Sequence, residues 1–140
     1  MKVSSIPFKD TGFFSKTLLD YLAQKEAVQS FYKNFPDHTG FYNQIEEKEK
    51  SFSLQSRLVL VDALKRQYAN FETSEKTQEN IHLLKSKNTF TVTTGHQLNL
   101  FTGPLYFLYK IISVINLAEE LTQKFPNKNV VPIYWMATED

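Results

Sequence analysis

The sequence predicts an α/β fold: a helical N-terminal half leads into a single βαβ unit of a parallel sheet. Three observations carry this. Residues 89–94, Thr-Phe-Thr-Val-Thr-Thr, form a β-like run, and residues 130–136, Val-Val-Pro-Ile-Tyr-Trp-Met, form a second. Between them lie a glycine-bearing turn, residues 95–104, and a long apolar stretch from Leu105 to Leu121. Upstream, apolar residues recur at helical rather than strand spacing. Strand, turn, helix and strand in this order impose a parallel pair joined by a right-handed crossover. In such units ligands sit at the carboxyl ends of the strands, here 94–97 and 137–140.

Taken in order, residues 1–12 hold Pro7 and Gly12 and read as extended. From Phe14 to about Phe31, the positions Phe14, Leu18, Leu19, Leu22 and Ala23 predict one helix. Residues 35–40, Phe-Pro-Asp-His-Thr-Gly, break it as a loop. The charged run 45–50 reads as a solvated helix face with pairing of opposite charges one turn apart. Leu54 to Tyr68 carries an apolar stripe (Leu54, Leu58, Leu60, Val61, Leu64, Tyr68) with Arg57, Lys65 and Arg66 placed opposite it. Ser74 and Glu75 start a further helix through Leu84, which residues 85–88 end just before the first strand. The chain thus divides into a mainly helical lead-in, 1–88, and the βαβ unit, 89–140. A lone βαβ unit leaves both sheet edges unpaired, so the expectation is the front part of a longer α/β protein.

Composition narrows the function. The 140 residues carry a formal net charge of +1, which gives no reason to expect nucleic acid or an anionic membrane as partner. Absence of cysteine excludes thiolate metal sites and a cysteine nucleophile. The N-terminus has no apolar signal-peptide core, and cytoplasmic residence is expected. Lys110, Ser113 and Asn116 interrupt the Leu105–Leu121 stretch, which falls short of the ~20 apolar residues of a membrane span and reads as a buried helix.

The chemistry gathers at the strand ends. Thr94 presents a hydroxyl and Gly95 is free to adopt positive φ, so that backbone N–H groups turn into the crevice. Gly103 and Pro104 mark the helix start, with Pro104 at the first helical position. Together they suggest a seat for phosphate or carboxylate. The competing reading is that Gly95 and Gly103 only let the backbone turn tightly. No Walker A lysine and no Gly-x-Gly-x-x-Gly fingerprint is present. His96 can act as general acid or base, or as donor to an oxyanion, or be merely structural. Gln97 offers a donor and an acceptor. Glu139 and Asp140, at the second strand's end, can orient an amine or bind Mg²⁺, although one carboxylate pair alone is no metal site.

Residues 94–110, Thr-Gly-His-Gln-Leu-Asn-Leu-Phe-Thr-Gly-Pro-Leu-Tyr-Phe-Leu-Tyr-Lys, followed by 131–140, Val-Pro-Ile-Tyr-Trp-Met-Ala-Thr-Glu-Asp, closely resemble the bacillithiol biosynthesis cysteine-adding enzymes. Residues 58–68 and the helix after Ser74 are similar to that family as well. The resemblance implies a Rossmann-like core akin to class I aminoacyl-tRNA synthetases, and a later coiled coil that makes the full-length protein a homodimer. It implies a ligase that adds cysteine to glucosaminyl-malate. His96, Gln97, Glu139 and Asp140 would then be catalytic, and Thr94, Gly95, Gly103 and Pro104 would bind the substrate or an anion, with no resident protein-bound metal. ATP or ADP with Mg²⁺ is compatible with such chemistry, and the resemblance leaves the activating donor open. Against the ligase stand a non-catalytic module that captures a nucleotide or carboxylate, and a purely structural lobe.

Overall fold

The computed structural model describes residues 3–138, with the backbone alone for Thr102. Their contacts divide into two compact units, 1–46 and 47–140.

In the first unit, α1 (Phe8–Thr11), α2 (Lys16–Leu22) and α3 (Glu26–Gln29) precede α4 (His38–Ser51), whose residues from Glu47 on belong to the second unit. The N-terminal stretch is therefore not wholly extended: one helical turn forms and ends at Gly12, φ 71°. The single helix expected over 14–31 is two, because Gln24 takes a φ of 50° between them, a left-handed value that no α-helix continues through. Ser15 caps α2 by accepting from the Leu18 amide. The buried Asp20 carboxylate pairs with Lys16 at 2.6 Å and with Lys25 at 2.7 Å. Hydrogen bonds from Lys16 and then Lys25 hold it below the usual carboxylate range against the opposing effect of desolvation. Tyr21 packs edge-on against Tyr32 at 5.0 Å and beside Phe35 at 5.2 Å. The loop expected through residue 40 is already helix from His38. Asp37 accepts from the Gly40 amide at 2.8 Å, and a Cβ on Gly40 would stand 1.7 Å from the Phe35 carbonyl oxygen.

In the second unit, α5 (Leu54–Tyr68) and α6 (Glu75–Leu83) lead into β1 (Thr89–Gln97), a 3₁₀ turn (Leu100–Thr102), α7 (Leu105–Lys124) and β2 (Asn129–Ala137). Ser53 and Ser74 cap α5 and α6 through the amides of Ser56 and Thr77. β1 and β2 pair in parallel, from Thr89 with Asn129 to Gln97 with Ala137. This is the predicted βαβ unit, with α7 packed on both strands as the crossover. Residues 131 and 133 of β2 join Val61, Leu84, Ile81, Leu83 and Leu64 in one cluster. Val61 is fully buried, which contributes about 2 kcal/mol. α7 is not the buried helix expected: among its described residues Ala118 and Leu121 are buried while Leu105, Leu108, Tyr109, Ile112 and Ile115 are exposed, and the Val130 amide donates to Thr122 Oγ1.

Two further readings of the helices are corrected. Arg57, placed on the solvated face of α5, is buried, while Leu54, Leu58, Leu60 and Tyr68 are exposed. The guanidinium is drawn inward by three carbonyls around the α6–β1 turn, Thr89 at 2.8 Å and Leu84 and Lys87 at 3.3 Å, between the rings of Phe52 and Phe90. Burial pushes its pKa down, and Glu49 partly restores it. The second correction concerns Glu49 itself, which pairs not with a helix neighbour but with Lys128 ahead of β2.

Candidate active site at the carboxyl edge of the strands

β1 continues three residues past its predicted end, so Thr94, Gly95, His96 and Gln97 are strand residues paired with Tyr134, Trp135, Met136 and Ala137. Gly95 therefore does not take positive φ; among glycines with positive φ in the structure are Gly12 and Gly103. Its smallness has a different cause. A Cβ there would lie 3.0 Å from the Trp135 carbonyl oxygen and 3.1 Å from the Trp135 Cβ, so glycine lets the two strands close at this level. The turn comes later, at Gly103, with φ 61° and ψ −158°, a region essentially restricted to glycine. Any Cβ on Gly103 would also strike the Asn99 side chain at 2.6 Å. Pro104 is the N-cap of α7, one residue before its predicted place, with ψ 155° and no side-chain cap. Its carbonyl accepts from the Phe107 amide at 2.9 Å, so the proline ring has turned the chain rather than begun the helix.

The polar side chains converge where β1 meets the first turns of α7. His96 Nε2 lies 2.7 Å from the Tyr106 hydroxyl. Its Nδ1 lies 2.9 Å from the Gln97 carbonyl oxygen and 3.0 Å from Asn99 Nδ2. Asn99 Nδ2 also donates to the Gln97 carbonyl at 2.9 Å, which fixes which end of the amide faces the ring. The imidazole can thus be satisfied in two ways. With the proton on Nδ1 it donates to Gln97 and accepts from Tyr106. With the proton on Nε2 it donates to the Tyr106 oxygen, leaving the phenolic hydrogen free for a ligand. Tyr134 donates to the His96 carbonyl at 3.1 Å, and Phe107 packs edge-on against both the His96 and Tyr134 rings. Lys110 donates to the Gly95 carbonyl at 3.2 Å.

Of the predicted site residues, the structure brings Thr94, Gly95, His96, Gln97, Gly103 and Pro104 to one edge. Glu139 and Asp140 lie outside the described residues. Sequence reasoning missed Asn99, Tyr106, Lys110 and Tyr134. The signal for two of them was present: Tyr106 and Lys110 stand four residues apart, one turn on a helix, and so share a face.

A family model described as bacillithiol biosynthesis BshC, N-terminal Rossmann-like domain, matches residues 1–140. The chain belongs to the BshC family. A relative from Flavobacterium psychrophilum is 57% identical over the whole chain and one from Flavobacterium johnsoniae 54%. One from Anoxybacillus flavithermus is 40% identical over 76% of the chain. All three bear the name "Putative cysteine ligase BshC". The chain spans about a quarter of the length of the first two, 27% and 26%. Membership accounts for the fold: the parallel pair and crossover helix are those of a BshC Rossmann-like domain, and the polar cluster lies at its strand ends.

Proposed function

We propose that this BshC domain carries part of the active site of a ligase that joins cysteine to glucosaminyl-malate through an amide bond. The observation that supports this most is the convergence of His96, Asn99, Tyr106 and Lys110 at the carboxyl edge of β1 in a chain matched along its whole length by that family. The C–N bond forms as the activated carbonyl loses an oxygen with its activating group, and the attacking amine gives up a proton. His96, coupled to Tyr106, is the base that takes it. Gln97 holds the substrate carboxylate at the strand end, and Glu139 and Asp140 steer the amine. ATP with Mg²⁺ would supply the leaving group. A cytoplasmic setting and a homodimer of the complete protein belong to the same reading.

The test is mass spectrometry of the complete protein with cysteine and glucosaminyl-malate, with and without ATP and Mg²⁺. A bacillithiol mass that disappears in a folded Gln97→Ala variant is the expected result. Folded protein that gives no product under any condition replaces the ligase with a non-catalytic binding module.

A further inference from the structure

Among the described residues of this edge, the stretches 94–110 and 129–138 contain one formally charged side chain, Lys110, and Glu139 and Asp140 follow in the sequence. The other polar side chains there are amides, hydroxyls, an imidazole and the Trp135 indole, all without formal charge. On an exposed helix an ammonium ordinarily extends into water. Here it bends back to the strand and donates to the Gly95 carbonyl at 3.2 Å, lying 5.7 Å from the centre of the Tyr106 ring. That tether uses one of three N–H donors. The ion pairs found among the described residues engage Lys16, Lys25, Lys76 and Lys128, and no described carboxylate pairs with Lys110.

We propose that Lys110 is the residue that seats an oxyanion at this edge, with the Tyr106 hydroxyl donating beside it once His96 Nε2 carries the proton. This rests on reading the strand edge as the place where the ligase substrates sit. Tyr106 and Lys110 lie one helical turn apart, and their polar ends are anchored to adjacent residues, His96 and Gly95. Two donors on one rigid helix face, held at one strand end, form a preorganised pair for a carboxylate or phosphate oxygen. A charge-assisted bond to such an oxygen is roughly twice as strong as a neutral one. Lysine acts as a point charge, so the geometry suits either anion.

The experiment is calorimetric titration of the complete protein and its Lys110→Met and Lys110→Arg variants with two probes, L-malate and inorganic pyrophosphate. Product formation is assayed in parallel, and circular dichroism confirms that the variants are folded. The expected result is that the natural protein binds at least one probe, Lys110→Met weakens it at least about tenfold, and Lys110→Arg stays within a few-fold. Malate binding alone identifies a substrate carboxylate, and pyrophosphate binding alone an activating phosphate. A Lys110→Met protein that binds like the natural one, or a natural protein that binds neither probe, overturns the assignment. If the Lys110→Met loss occurs in a protein that forms no bacillithiol, the oxyanion seat stands and the ligase reading falls. If Lys110→Met binds and turns over normally, the reverse holds.

Discussion

Gly103 shows how a single missing atom shapes the site. Its φ of 61° and the 2.6 Å separation between any Cβ and Asn99 make alanine costly on two counts, conformation and overlap. We expect Gly103→Ala to lower stability by about 1–3 kcal/mol in chemical denaturation, and to displace Asn99 from His96 Nδ1. The histidine ring resonances would report that displacement by NMR; an unchanged ring with unchanged stability would refute this account. Gly95 answers to a different constraint, since its shortest contacts are 3.0 and 3.1 Å and its backbone is ordinary strand. The sequence does not separate the two glycines, because both stand in one turn-like run. Only the strand register shows that one spaces two backbones and the other reverses the chain.

Among the elements, legibility followed local chemistry. The start of α6 was readable from Ser74, an N-cap residue whose hydroxyl meets a free amide, and α5 from the helical spacing of its apolar residues; Ser53 caps α5 in the same way. β2 was readable from its run of branched and aromatic residues. β1 was read too short, since Gly95-His96-Gln97 has the composition of a turn, and only pairing with β2 extends the strand through it. Arg57 was unreadable for a related reason: a cation on a helix is ordinarily solvated, and its carbonyl partners lie some thirty residues away at the α6–β1 turn. That turn sets where β1 begins. Replacing Arg57 with methionine should strip the buried carbonyls of Leu84 and Thr89, and the partly buried one of Lys87, of their donor, at a cost of about 2–4 kcal/mol, read from urea denaturation. A variant as stable as the natural protein would show that water serves these carbonyls equally well. The polar cluster was half legible in the same way, His96 by its type and Lys110 only once α7 had brought it back to the strand.

At the scale of the whole molecule, Asp20 contributes to stability in acid, because its carboxyl is held below its usual range. A depressed folded pKa means that the unfolded chain takes up the proton more readily. The contribution is therefore fully present above the ordinary aspartate value of about 4 and is lost as pH falls through the lower folded value. Asp20→Asn should lower stability at neutral pH and flatten the decline below about pH 4 in thermal melts across pH, whereas a decline as steep as the natural one would assign the acid response to other groups. The strand register has an optical consequence as well. Trp135 is the sole tryptophan of the sequence, it stands opposite Gly95, and it is 61% exposed. Because paired residues share a face and successive ones alternate, all indole emission of this chain originates on the sheet face of Gly95, away from His96 and α7, from a ring still largely in water. Anything that covers that face beside Gly95, whether ligand or protein, shifts the emission to shorter wavelength.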